Sequence, residues 1–140
     1  LDIPIPTDFL DIPIPSEPSD NPIRLEPPDV RVEPLTQSAE SALEEADRLI
    51  DQGIQQARVS QFREAIQSWE QALSIYREIG NRQGEGATLK NLGNAYADLG
   101  QYQRAIELYE QSLAIAREIG DRRGEGITLG NLGLAYNNLG

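Results

Sequence analysis

Apolar side chains recur every three or four residues through the chain from about residue 41 onward. This spacing places them on one stripe of an α-helix, so each run predicts an amphipathic helix with one buried face. Short breaks separate five such runs. The pattern predicts helices over roughly residues 41–59, 61–79, 84–98, 101–119 and 124–138.

The stripes also indicate the expected core. Trp69 is the only tryptophan, and we expect it to be buried against the first and third helices. Ser41 and Glu44 have the spacing of a capping box, which predicts that the first helix begins there. The residues expected to point inward are Leu49, Ile50, Gly53, Ile54, Val59, Phe62, Ala65, Ile66, Trp69, Ala72, Leu73, Tyr76, Leu89, Leu92, Ala95, Tyr96, Leu99, Tyr102, Ala105, Ile106, Tyr109, Leu113 and Ile115.

The helical pattern is repeated along the chain. Residues 61–100 align with residues 101–140 without a gap, and 24 of the 40 positions are identical. A fixed period of this size is typical of solenoids, in which each unit buries its apolar face on its neighbours. We therefore predict an all-α solenoid of stacked helix hairpins.

The first 36 residues have a different composition. All nine prolines lie between Pro4 and Pro34, whereas all twelve glycines lie from Gly53 onward. Because proline disfavours helix, residues 1–35 are expected to lack helix, and residues 1–36 to form an acidic, Pro-rich disordered linker ahead of a helical domain at 41–140. The segment Leu-Asp-Ile-Pro-Ile-Pro occurs twice in this region, so the alternative is an extended docking strand.

Composition excludes several function classes. The chain contains no His, Cys or Met, which removes imidazole bases, thiolate nucleophiles and zinc sites, so no catalytic residue, metal or cofactor is expected. The net charge of −11, with no basic block, argues against nucleic acid as a partner. No apolar run is long enough for membrane insertion. The compartment cannot be inferred, since no thiol reports on it.

The repeated positions resemble the tetratricopeptide repeat, whose pattern is Leu-Gly-x2-Tyr on a first helix and Ala-x3-aromatic on a second. The matching positions are Leu89, Leu92, Gly93 and Tyr96, followed by Ala105 and Tyr109. The 40-residue period is similar to that of kinesin light chains, the Leu-Gly-Asn adaptor and many bacterial repeat proteins. The resemblance implies a right-handed superhelix with copies at about 46–80 and 84–120 and a half copy at 124–140.

The glycines have expected packing roles. Gly93 and Gly133 should face the partner helix at a point of close approach. The Gly84-Glu85-Gly86 segment superficially suggests a phosphate loop, but the strand before it and the Lys-Ser/Thr after it are absent. We therefore expect no nucleotide site.

In this family the first helices of successive repeats line a concave groove, and the resemblance implies the ligand site by register. The expected groove positions are Ile50, Ile54, Arg58, Ala87, Lys90, Asn91, Asn94, Asp98, Ile127, Asn131, Leu134, Asn137 and Asn138. Those expected to bind a peptide are Lys90, Asn91, Asn94, Asp98, Asn131, Leu134 and Asn138. Asparagine can both donate to and accept from a peptide backbone. The alternative is that Asn91 and Asn131 bond within the repeats.

Two further features bear on the ligand. Lys90, Asn94 and Asn131 resemble part of the carboxylate clamp that holds the free C-terminus of chaperone tails. Arg82, Arg122 and Arg123 are expected near the turns between copies, where they pair with ligand acids or, at an exposed surface, with nearby glutamates such as Glu85 and Glu125.

The resemblance implies a non-catalytic scaffold that binds an extended peptide of a partner protein. The alternative is a sensor or substrate-recognition arm of a larger enzyme, such as a repeat-linked caspase-like peptidase. We also expect self-association through an open C-terminal end, because the fifth helix lacks the partner that the third helix has. The residues expected at that open end are Leu129, Leu132, Tyr136 and Leu139.

Overall fold

The computed structural model describes residues 27–140 of the chain. All regular structure in this part is helical, and Ala39–Gly140 form one compact unit. Helices α2 to α5 begin and end within two residues of the predicted bounds. The five helices are α1 (Pro27–Arg58), α2 (Phe62–Glu78), α3 (Arg82–Asp98), α4 (Tyr102–Ile119) and α5 (Arg122–Leu139).

Helix α1 begins much earlier than predicted. It starts at Pro27, so the expectation that residues 1–35 lack helix is wrong for residues 27–35. Pro27 and Pro28 occupy the first turn, where a backbone N–H has no helical acceptor and proline is tolerated. Ser41 therefore lies inside the helix and does not cap it. The duplicated Leu-Asp-Ile-Pro-Ile-Pro segment, and with it most of the predicted linker, lies outside the described residues.

The helices pack as successive antiparallel neighbours around three connected clusters of buried side chains. Trp69, Leu89 and Leu92 belong to the cluster that joins α2 to α3, and Tyr109 and Leu132 belong to the cluster that joins α4 to α5. Each cluster thus takes residues from consecutive helices, which is the arrangement of a solenoid. The fold is an all-α solenoid of helix hairpins, as predicted.

Most of the predicted core is buried. Trp69 is only 4% exposed, and its indole Nε1 donates a hydrogen bond to the carbonyl of Ile50 at 3.2 Å. The main exception is Val59, which is 65% exposed because it lies in the turn after α1. Leu132 was expected at an open end but is buried against α4, since that side of α5 faces the preceding helix.

Two first helices, α1 and α3, have a glycine opposite an aromatic ring of the next helix, and close approach of the helices explains it. A Cβ added to Gly93 would lie 2.5 Å from Cε1 of Tyr109, so the expectation for Gly93 is confirmed. A Cβ added to Gly53 would likewise clash with the indole ring of Trp69. A Cβ added to Gly133, in contrast, would have no neighbouring atom within 4 Å. The expectation for Gly133 is wrong, because no described helix covers that side of α5.

Side-chain caps set the start of α3 and α5. The carboxamide of Asn81 accepts a hydrogen bond from the N–H of Gly84 at 2.8 Å, and Asp121 caps Gly124 in the same way. Such caps satisfy backbone donors that the first turn of a helix leaves free. These caps place the starts of α3 and α5 two residues before the predicted ones. The backbone N–H of Gly84 is therefore already used in a hydrogen bond within the chain.

Ion pairs join consecutive helices, with exposed arginines around the nearly buried carboxylate of Glu85. Glu85 of α3 pairs with Arg77 of α2 at 3.0 Å and with Arg82 at 2.8 Å. Arg82 also pairs with Glu118 of α4 at 2.7 Å. Glu125 repeats the first pair with Arg117 at 2.8 Å. The expected pairing of Arg82 with Glu85 is confirmed, whereas Glu125 pairs with Arg117 of the preceding helix because the Arg77–Glu85 contact recurs after 40 residues.

Candidate functional site

Two adjoining cavities lie along the first helices of the hairpins. The first, of about 320 Å³, lies between α1 and α3 and is floored by Trp69 of α2. The second, of about 410 Å³, lies between α3 and α5, with Tyr102 and Tyr109 of α4 in its lining. Asn94 and Asp98 line both cavities, so the two form one continuous surface, which we call the groove.

Six of the seven predicted ligand residues line the groove. Asn91 lies in the first cavity, and Asn131, Leu134 and Asn138 lie in the second. Arg58, another predicted groove position, lines the first cavity at the end of α1. Register along the first helices therefore places these side chains as the sequence predicts.

Lys90 lies elsewhere. It lines a separate small cavity of about 100 Å³, together with Ala87 of α3 and Thr128 of α5. One residue along a helix turns a side chain by about 100°. The structure therefore brings Asn94 and Asn131 of the suggested carboxylate clamp together but does not place Lys90 in the same cavity.

A hydrogen-bonded cluster holds the centre of the groove. The carboxamide oxygen of Asn94 accepts from the Tyr109 hydroxyl at 2.5 Å and from Nδ2 of Asn131 at 3.1 Å. Bonding within the repeats, the alternative for Asn131, is therefore observed. The amide group of Asn94 and the carboxamide oxygen of Asn131 still have bonding capacity toward a ligand. The half-buried Asn91 side chain makes no hydrogen bond with any residue in the described part of the chain.

Opposite charges lie at the two sides of the first cavity. Arg58 ends α1 and Asp98 ends α3, and neither forms an ion pair with a side chain of residues 38–140. Burial, and after it the charge of Asp98, raises the pKa of Tyr109 to about 12. The Tyr109 hydroxyl therefore stays protonated at neutral pH and remains a donor to Asn94.

This shift predicts a stability loss in strong base. The ordinary tyrosine pKa is about 10, so a folded pKa near 12 favours the neutral phenol. We expect the Tyr109 contribution to stability to be fully present below about pH 10 and to be lost as the pH rises toward about 12. Because burial also raises the pKa of Tyr76, the test compares urea midpoints against pH and phenolate absorbance of the unmodified chain with those of Tyr109→Phe. Titration of Tyr109 near pH 10 in the folded chain would contradict it.

Sequence reasoning missed the aromatic contribution to the groove. Phe62 and Tyr102 begin the second helices α2 and α4 at equivalent positions, and each lines one cavity. The apolar stripe predicts both in the core, whereas each is half-buried at the wall of a cavity. Their recurrence after 40 residues at the start of a helix was the available signal, because an aromatic side chain there lies next to the end of the preceding helix.

Other kinds of site are not seen in the described part of the chain. No group of three or more acidic side chains among residues 38–140 has the arrangement needed to hold a metal ion. None of the helices α1 to α5 is long and apolar enough to cross a membrane.

Stacked hairpins, with Gly53 of α1 against Trp69 of α2 and Gly93 of α3 against Tyr109 of α4, define a helical repeat protein. The family model described as tetratricopeptide repeat matches residues 49–118 and 85–140. The chain belongs to the tetratricopeptide repeat family. Comparison with curated proteins gave no match. Repeats of this family generally mediate protein–protein interaction and are generally non-catalytic.

Proposed function

We propose that this chain binds an extended peptide segment of a partner protein along the groove. The observation that carries the proposal is the continuity of the two cavities through Asn94 and Asp98. An extended segment presents backbone donors and acceptors on both sides, and asparagine side chains can satisfy either kind. The proposed role is that of a non-catalytic scaffold.

The lining suggests the chemistry of the ligand. Ile54, Phe62 and Trp69 give the first cavity an apolar floor that suits one apolar ligand side chain. Arg58 and Asp98 at its sides favour ligands that carry a complementary charge on each flank. Asn91 keeps the bonding capacity of its whole carboxamide, because it makes no hydrogen bond with the described part of the chain. A recognition arm of a larger enzyme would use the same groove, so that alternative remains a prediction about the rest of the protein.

Removal of the Asn91 amide is expected to weaken peptide binding about fivefold and leave the free energy of unfolding unchanged. A typical hydrogen bond contributes about 1 kcal/mol, which corresponds to this factor. The probe is a set of peptides selected from a random library by the unmodified chain, and binding is read from Trp69 fluorescence. Gln67→Ala is the matched control, because Gln67 is an exposed amide on α2.

Equal affinity of Asn91→Ala and the unmodified chain for every selected peptide would contradict the groove as the binding site. Destabilisation of Asn91→Ala would show that the amide is structural. Selected peptides also test the carboxylate clamp, which stays a proposal. The clamp would be supported if amidation of the peptide C-terminus weakens binding to the unmodified chain but has no effect on binding to Lys90→Ala. Equal binding of the free and amidated peptides to the unmodified chain would contradict the clamp.

A further inference from the structure

The second helices α2 and α4 differ at one repeat position, and a cavity lies where they differ. This cavity of about 100 Å³ between α3, α4 and α5 is lined by Thr128, and we call it the Thr128 cavity. Ala116 of α4 also lines it, and the residue 40 positions earlier is Tyr76 of α2. Tyr76 is buried, and a Cβ added to Gly84 would lie 2.5 Å from Cδ1 of its ring. The smaller Ala116 thus leaves open the space that a tyrosine ring fills in the preceding repeat.

The walls of the Thr128 cavity match the surroundings of Tyr76. Tyr76 lies in one buried cluster with Ala46 and Ala72. Its hydroxyl donates a hydrogen bond to Asp47 at 2.6 Å, and its ring lies against Gly84. The residues 40 positions after these four neighbours all line the Thr128 cavity, and they are Gly86, Ser112, Ala87 and Gly124. The cavity therefore has the surroundings of a tyrosine ring without a tyrosine of its own.

The rim of the cavity differs from the same place in the preceding repeat. The exposed Ala87 stands at the position of Asp47, which accepts the Tyr76 hydroxyl there. Lys90 stands at the position of Ile50 and is half-buried, and it forms no ion pair with a side chain of residues 38–140. An ammonium group at this rim is attracted to the face of an aromatic ring.

The inner wall carries a hydrogen-bonding group that lacks a partner. Thr128 is 1% exposed, and its hydroxyl makes no hydrogen bond with residues 38–140. The equivalent Thr88 hydroxyl donates to the carbonyl of Gly84 at 2.7 Å, as a threonine inside a helix can do. Because an unpaired buried hydroxyl costs free energy, an occupant that bonds to Thr128 would be stabilised.

We propose that the Thr128 cavity binds one tyrosine side chain of a partner protein. The ring enters past Lys90 and lies against Ala116 and Gly124, where the preceding repeat has its own tyrosine. The hydroxyl of the ring bonds to the hydroxyl of Thr128. The ring supplies the van der Waals contacts that the wall atoms of the cavity lack. This site is separate from the groove and requires no peptide to be bound there.

Two probes carry the tyrosine side chain, namely p-cresol and a blocked peptide with one tyrosine among glycines. Both are expected to bind the full chain saturably, as read from nuclear magnetic resonance shifts of the Ile115 methyl groups. Ala116→Tyr should weaken both by about tenfold or more, because a ring of the chain itself then fills the cavity. Ala114→Tyr is the matched control, since Ala114 is an exposed alanine of the same helix.

The contact with the Thr128 hydroxyl has a test of its own. Toluene lacks the hydroxyl of p-cresol, so Thr128→Val should weaken p-cresol several-fold relative to toluene. Thr88→Val is the control, because the Thr88 hydroxyl bonds to Gly84 and does not line the cavity. This comparison also gives a decisive result if Ala116→Tyr fails to fold.

Five results would overturn the assignment. The first three are no binding of either probe, equal binding to Ala116→Tyr and Ala114→Tyr, and an unchanged ratio of p-cresol to toluene affinity in Thr128→Val. Binding of p-cresol without the peptide would make a free phenol the ligand. Dimerisation of the chain that Ala116→Tyr abolishes would make a second copy the occupant. Asn91→Ala should leave both probes unaffected, which separates this result from a failure of the groove proposal.

Discussion

Trp69→Ala is expected to lower the free energy of unfolding by about 3–5 kcal/mol, the usual range for removal of a buried tryptophan. Trp69 joins α1 to α2 through its contact with Gly53 and its hydrogen bond to the Ile50 carbonyl, and it also packs against α3. The substitution opens a cavity at the point where two hairpins meet. Urea unfolding followed by circular dichroism gives the value, because the substitution removes the only tryptophan.

Phe62→Leu is a suitable control for this change. Phe62 is half-buried and also lines the first cavity, yet it does not belong to the central cluster around Trp69. We expect a clearly smaller loss of stability for it. A cost near zero for Trp69→Ala would mean that the register of the first hairpin is wrong.

The second large effect is a pair of equivalent glycine substitutions with opposite signs. Gly93→Ala should destabilise the chain by about 1–3 kcal/mol, because its Cβ meets the buried Tyr109 ring that Asn94 holds in place. Gly133→Ala should stabilise it by up to about 1 kcal/mol, since alanine is the better helix former and its Cβ meets open space.

Both variants add the same methyl group at the same repeat position, so helix propensity changes equally in each. The difference between their urea midpoints isolates the contact with the aromatic residue of the following helix. Equal effects of the two substitutions would contradict the close packing of α3 on α4.

The helices could be predicted well where the sequence has both an apolar period typical of a helix and a glycine that ends the helix. Helices α2, α3 and α4 are each followed by a glycine with φ between 71° and 79°, a backbone conformation that other residues rarely adopt. The start of α1 could not be read in this way. Pro27 and Pro28 disfavour helix in general but fit its first turn, and no local signal separates these cases.

The site was predictable as far as register along a helix determines which way a side chain points. Asn91 and Asn94 fall on the groove side of α3, as the repeat pattern predicts. Lys90 lines a different cavity because one residue of rotation is enough to separate two surfaces. The bonding of Asn94 to Tyr109 depends on how α3 and α4 pack against each other, which the pattern of a single helix does not contain.

The most direct test of peptide binding in the groove is nuclear magnetic resonance of the asparagine side-chain amides during titration with a library-selected peptide. We expect the largest shift changes at Asn91 and Asn94, smaller ones at Asn131 and Asn138, and none at Asn81, which caps α3 outside the groove. Saturable shifts that leave the groove amides unchanged would contradict the proposed function.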